Sequence, residues 1–259
     1  MNDGARFEHW VVISAYNERE TIRDVTVGAL QQIGKVLVVD DGSTDGTSAA
    51  LDGLSITLLR NVQNSGKAAS LWRGFTHALD EGAASVVTLD ADGQHAPEEI
   101  LKFVSAARSF PEHLIIGTRR RKQRRARLSR YLANCVADFW VSWASGAPFS
   151  DSQSGFRLYP ASLLRRVDIN HGKPRSFVFE SEILIEATRL GYRSIAVPID
   201  MLPRGGTRRS HFRPILDVMR ITQMVAWKLI SKAMFPTGLY RSLFTQPLRS
   251  QPDLPSDES

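Results

Sequence analysis

The chain has 259 residues, a formal net charge of +6, and hydrophobic and charged fractions of 42% and 23%. That is enough chain for one large catalytic domain and too ordinary a composition for disorder over most of its length. One cysteine, Cys135, excludes an internal disulfide and a cysteine zinc cluster, and fits a core thiol in a reducing compartment.

Residues 1–8 are short and polar, without the apolar core of a signal peptide, so a cytoplasmic location is expected. Residues 10–14 predict a strand, and Asn17 is placed to cap a helix with Glu18 and Glu20 in its first turn, ending near Gly34. Strands follow at 35–39 and 55–59, a helix at 67–79, and a fourth strand at 85–89 that leads straight into Asp90. Pro97 opens the next helix, and 113–116 is the fifth strand. Beyond Arg119 the rhythm changes to helices at 128–143, at 180–190 and from Pro214 onward, with a strand at 193–197. The stretch 246–259, rich in Pro, Ser and acid, is expected to be a disordered tail. No segment approaches the roughly 20 apolar residues of a membrane span. The most apolar, 215–235, is interrupted by Asp217, Arg220, Lys228 and Lys232.

Short apolar strands alternating with helices are the form of βαβ units, which predicts an α/β fold with a mainly parallel sheet and helices on both faces. Ligands of such sheets sit at the carboxyl ends of the strands. The loops there contain Tyr16-Asn17-Glu18, Asp40-Asp41-Gly42-Ser43, Asn64-Ser65-Gly66-Lys67, Asp90-Ala91-Asp92 and Gly117-Thr118-Arg119, and they are expected to converge on one crevice.

Asp90, Asp92 and Gln94 put two carboxylates and an amide oxygen on one turn, which suits a hard divalent cation shared with a diphosphate. The plainer alternative is acids that cap the helix near Pro97. The run from Asp41 through Ser43 and Asp45 imitates the start of a calcium loop, but a strand leads into it and Asp52 stands where a bidentate Glu belongs. A nucleoside contact by Asp41 fits better, with Ser43 and Asp45 bracing the turn. Asn64 to Lys67 fails as a nucleotide-triphosphate loop because Asn61 and Ala68 break the pattern, and no G-x-G-x-x-G follows the first strand. Arg119, Arg120, Arg121, Lys122, Arg124, Arg125, Arg127 and Arg130 form a basic run that suits a solvated face, a phosphate site or a polyanion. It lacks the aromatics and reader motifs of a nucleic-acid surface. The helix from Pro214 shows an apolar face (Ile215, Leu216, Met219, Val225, Leu229, Ile230) opposite Asp217, Arg220, Lys228 and Ser231. It either packs on its own domain or lies in a membrane interface or oligomer contact.

In this order the motifs, continued by Asp151-Ser152-Gln153-Ser154-Gly155-Phe156-Arg157, resemble glycosyltransferase family 2, most closely its dolichol-phosphate mannose synthase and polyprenyl-phosphate hexose synthase branch, over about residues 10–212. The resemblance implies a GT-A fold with a mixed sheet, inversion at the anomeric carbon, Mg2+ or Mn2+, and a GDP- or UDP-hexose donor. It places Tyr16, Glu18, Val39, Asp41 and Lys67 around the donor, Ala91 against it, and Asp90, Asp92 and Gln94 on the metal. Arg119, Ser129 and Arg130 would meet an acceptor phosphate and Arg204 the donor diphosphate. A second cationic contact is open among Arg208, Arg209 and His211, where the synthases carry a Ser-Lys pair.

The expected organisation is a catalytic domain over 1–212, an amphipathic helical segment over 213–245 and the tail. The expected function is transfer of a hexose to a polyprenyl-phosphate acceptor by a cytoplasmic protein peripheral to the inner face of a membrane, with no nucleic-acid partner. Transfer to a hydroxyl of a lipid or envelope glycan is the alternative. It would need a general base, for which Glu180 and Glu182 are candidates, although both also read as helix-start acids.

Overall fold

The computed structural model describes residues 9–119, 128–169, 171–172, 178–202, 214–230 and 234–249, with main chain alone at 128–131, 133 and 214–221. The first strand, β1 (His9–Ala15), shows why the amino-terminal half folds as it does. Trp10 and Val12 face one core, whereas Val11, Ile13 and Ala15 face another. A strand buried on both sides reads as an unbroken apolar run, and only a central position in a covered sheet provides that environment.

β1 pairs in parallel with β2 (Val36–Asp40) and β4 (Ser85–Asp90), and β2 pairs with β3 (Thr57–Arg60). The sheet continues through β6 (Arg157–Pro160), β5 (Leu114–Arg119), β7 (Ser194–Ile199) and β8 (Leu248–Arg249), in the order β3-β2-β1-β4-β6-β5-β7-β8. Only β6 runs antiparallel to its neighbours. Its entering segment therefore lies at the carboxyl edge of the parallel strands.

One face carries α1 (Ile22–Gln32) and α3 (Ile100–Ser109). The other carries α2 (Lys67–Asp80), α4 (Leu128–Ser145), α5 (Ala161–Arg166), α6 (Phe179–Arg189) and α7 (Pro214–Ile230). A last helix, α8 (Pro236–Phe244), packs with α7 on α4. No helix among the described residues is long and apolar enough to cross a membrane.

Several expectations need correction. Asn17 does not cap α1, which begins at Ile22 behind Thr21; Asn17 instead takes a left-handed conformation (φ 55°) inside the loop. The segment expected as a tail from Gln246 starts with β8, whose Leu248 and Arg249 pair with Ile195 and Ala196 of β7; residues 250–259 lie outside the described set. The helical stretch from Pro214 is two helices, not one. Its faces are also not as the periodicity suggested. Lys228 is turned inward to Glu182 (3.2 Å) and Glu186 on α6, while Ile230 is exposed. Cys135 is half-buried instead of a core thiol.

Candidate active site

The loops after β1 and β2 are stitched together. The main-chain N–H of Asn17 donates to Ser43 Oγ (2.8 Å), and Asn17 Oδ1 accepts from the N–H of Thr44 (2.8 Å). Glu18 N–H donates to Thr47 Oγ1 (2.9 Å), and Asp45 accepts from the N–H groups of Arg19 and Thr47. Ser43 and Asp45 thus brace the turn, as their residue types predict. Tyr16 and Glu18, expected at the donor, sit half-buried at this edge.

Asp41, expected at the nucleoside, is almost wholly buried and holds the neighbouring loop. Its Oδ1 accepts from Asn61 Nδ2 and the N–H of Ser65, and its Oδ2 from the N–H of Gly66, each at 2.8 Å. Gly66 has φ +93°, a conformation open to glycine, and delivers Lys67 as the first residue of α2. The Val39 side chain lies in the core, so a contact to a nucleoside from this position would come from its main chain.

Lys67 Nζ lies 2.6 Å from Asp90 Oδ1 and 2.7 Å from Glu180 Oε1. Burial by itself raises the Asp90 carboxyl, but the Lys67 ammonium outweighs that and brings it to about 2. The same two carboxylates overcome the burial of the ammonium and push Lys67 above its ordinary value. His95 is buried against the Phe156 ring and accepts the Asp90 N–H at Nδ1 (3.3 Å). Burial moves its imidazole below the ordinary value, as befits a neutral acceptor.

Asp92 does not cap the 3-10 turn at Pro97–Glu99; it accepts the N–H of Gln94 (3.1 Å) and that residue's side-chain amide. The amide's N–H end is thereby used, and its carbonyl oxygen is the end left as a ligand. Ala91 is buried, and its carbonyl accepts from Thr21 Oγ1 (2.7 Å). Among the described residues no three His, Cys, Asp or Glu side chains group to hold a metal ion, and a cation at this turn would have the two carboxylates and the Gln94 amide oxygen to draw on. The donor set is all oxygen and small, which fits Mg2+ or Mn2+ completed by diphosphate oxygens. The space also fits. A Cβ on Gly155 would lie 2.7 Å from Asp90 Oδ2, so glycine there keeps that oxygen uncovered.

A second corner is built by Arg119 at the end of β5. Its N–H and Nε donate to Asp151 Oδ2 (3.0 and 2.8 Å), and Nη2 donates to Oδ1 (2.6 Å). Asp151 is fully buried, so the fork holds the guanidinium in one orientation. Asp90 ends β4 and Arg119 ends β5, so the two corners share the carboxyl edge of the sheet.

The segment Asp151–Phe156 ties these parts together, and residue types alone assign its members no roles. Ser152 N–H and Oγ donate to Asp138 of α4 (2.7 and 2.8 Å), and Gln153 donates to Ser181 of α6 (3.0 Å). Arg157, with no exposed surface, donates to the carbonyls of Ser152, Ser154 and Glu180. It therefore fixes the main chain that carries Glu180. A lone arginine at the start of an otherwise apolar strand was the available signal, since such a residue stays buried only when its donors are used.

Glu182, the other candidate base, is engaged by Lys228 of α7 (3.2 Å), whereas Glu180 is held by Lys67 beside Asp90. Ser129 and Arg130 open α4 with main chain alone described. Arg204, Arg208, Arg209 and His211 lie outside the described residues. Nearby, the Leu202 N–H donates to the carbonyl of Gln94 (2.9 Å), tying the chain after β7 to the paired-acid turn.

A mixed sheet sandwiched by helices, with paired acids on the turn after β4 and the loops after β1, β2 and β3 beside them, defines a GT-A type glycosyltransferase. Residues 10–170 match glycosyl transferase family 2, and the chain belongs to that family. It is similar to the undecaprenyl-phosphate mannosyltransferase of Micrococcus luteus, at 30% identity over 204 residues, 74% of this chain and 83% of that protein. The polyprenol monophosphomannose synthase of Mycolicibacterium smegmatis is 30% identical over 207 residues, 75% of this chain and 77% of that protein. Among solved structures, glucosyl-3-phosphoglycerate synthase from Mycobacterium tuberculosis in complex with Mn2+, UDP and glucosyl-3-phosphoglycerate superposes with a TM-score of 0.62. That match, at 20% identity over 94% of this chain and 84% of the other, establishes likeness of fold.

Proposed function

We propose that this glycosyltransferase moves a hexose, with inversion, from a GDP- or UDP-sugar to the phosphate of a polyprenyl-type lipid at the cytoplasmic face of a membrane. The observation that carries this reading is the pairing of two corners at one sheet edge, the acids Asp90 and Asp92 beside Lys67 and the fixed guanidinium of Arg119. The first suits a nucleotide diphosphate, the second an acceptor anion. Named relatives that act on undecaprenyl phosphate and polyprenol phosphate support the same acceptor class.

In this scheme Asp90, Asp92 and Gln94 would hold Mg2+ or Mn2+, and the ion when bound would supply positive charge for a departing diphosphate. The loops of Tyr16, Glu18 and Asp41 form the nucleoside side of the crevice, and Arg204 joins the diphosphate. Arg119 offers the acceptor the N–H donors it does not use on Asp151, and the resemblance assigns Ser129 and Arg130 to the same anion. An acceptor phosphate oxygen attacks the anomeric carbon from the face opposite the diphosphate, and the bond from that carbon to the diphosphate oxygen breaks. A phosphate is ionised near neutral pH, so no side chain has to remove a proton. Glu180 instead keeps Lys67 in place. Transfer to a hydroxyl is the second reading, favoured only by the position of Glu180 near Asp90 through the shared lysine.

Thermal unfolding with a panel of nucleotide sugars tests the donor assignment, because a ligand that binds the native state alone raises the midpoint. The expected result is a rise with one GDP- or UDP-hexose that needs Mg2+ or Mn2+. A panel without any metal-dependent rise would overturn it.

A further inference from the structure

We propose that α8, together with the exposed sides of α4 and α7, is the surface on which the protein lies against an anionic bilayer. Nine of the fifteen exposed large apolar side chains among the described residues fall on these three helices and the α7–α8 connection. The other six are scattered over separate elements, as ordinary surface residues are. On α8, Gly238, Leu239 and Ser242 turn toward the protein, while Tyr240 (65% exposed), Leu243 and Phe244 (72%) turn outward. Trp227 (74%) and Ile230 extend the set on α7. Leu132, Val136 and Phe139 form a helical stripe on α4.

Exposed rings of Trp and Tyr with aliphatic neighbours suit a membrane interface, where one end of the ring meets lipid and the other water. Charge selects the anionic surface. α8 contains no acid and exposes Arg241, with Arg249 exposed just beyond it. The one acid of α4, Asp138, is buried on Ser152. The basic run from Arg119 to Arg130 leads into the start of α4. A basic and aromatic helix surface of this kind binds through apolar burial plus attraction to anionic headgroups.

The surface is fixed relative to the active site. Trp143 Nε1 donates to the carbonyls of Met234 (3.1 Å) and Phe235 (3.3 Å), anchoring the α7–α8 corner to α4. The Phe235 ring sits where Gly238 has no side chain, since a Cβ there would lie 2.1 Å from ring atoms. On the other side, Lys228 ties α7 to Glu182 and Glu186 of α6, the helix whose first turn carries Glu180. Docking by α8 would set the depth at which the crevice meets a lipid headgroup. This purpose rests on the proposed lipid acceptor, whereas the surface itself does not.

The test is sedimentation of the full chain with vesicles of phosphatidylethanolamine and phosphatidylglycerol, against vesicles of phosphatidylcholine alone. The wild type is expected to pellet with the anionic vesicles and far less with the neutral ones. A Tyr240→Ser, Leu243→Ser, Phe244→Ser triple variant is expected to bind about tenfold more weakly or worse, with its unfolding midpoint and donor response unchanged. If that variant misfolds, Trp227→Ser with Ile230→Ser is read the same way. The inference is overturned if the wild type stays in the supernatant, if the folded variant pellets equally, or if the substitutions dissolve a dimer and leave vesicle binding intact. Vesicle binding without sugar transfer to any lipid phosphate would remove the proposed acceptor and leave the docking surface standing.

Discussion

Lys67 Nζ lies 2.6 Å from Asp90 Oδ1, so the acid expected to face the metal is balanced in this structure by a cation from the protein itself. The same ammonium holds Glu180 at 2.7 Å, and a single positive group keeps two carboxylates near one another. On the proposed function, diphosphate and metal would meet a cluster whose charges are already arranged.

Lys67→Met is the most direct probe of that arrangement. Both partners keep about a third of their side-chain surface in solvent (36% and 30%), so the loss is expected to be about 1–2 kcal/mol instead of the larger cost of breaking a buried pair. Mn2+ is expected to stabilise this variant more than the wild type, because a cation at Asp90 then has no internal competitor. Urea denaturation with and without Mn2+ measures both effects.

Asp151→Asn tests the second corner. It removes a buried charge from the fork under Arg119 and is expected to cost about 3 kcal/mol in urea denaturation, within the range for breaking buried pairs. It should also raise the KM for the acceptor more than that for the donor, because Arg119 loses its orientation.

Glu180→Gln separates the two acceptor classes. With a phosphate acceptor, kcat is expected to stay within about tenfold of wild type. A general base would cost about a hundredfold or more, with a changed pH profile. Steady-state rates on a lipid phosphate and on a lipid alcohol decide the matter.

Much of the fold could be read locally. Unbroken apolar runs such as those of β1 and β2 are decided by burial on both faces, and the loops after them carry turn residues of recognisable chemistry. The paired acids were legible because Asp90 ends β4 directly. What escaped depends on pairing across the chain. Nothing near Asp151 announces Arg119, which lies 32 residues away, and nothing near Lys228 announces Glu186, 42 residues away. Helical periodicity put Lys228 on the solvent side because it registers only that a residue is polar. Asn17 looked like a cap because its side chain does accept a backbone N–H, but the donor is Thr44 on another loop. The edge strand β8 is two residues long and its Leu248 pairs with Ile195 of β7, 53 residues earlier, leaving no local pattern to find.

The most direct measurement is transfer of radiolabelled hexose from GDP- and UDP-sugars to undecaprenyl phosphate in Mn2+, comparing wild type with Asp92→Asn. The expected result is a labelled glycosyl phospholipid with one donor, lost on adding EDTA and reduced at least a hundredfold in the variant. Full transfer by Asp92→Asn, or transfer that persists in EDTA, would contradict the paired acids as the metal and diphosphate site.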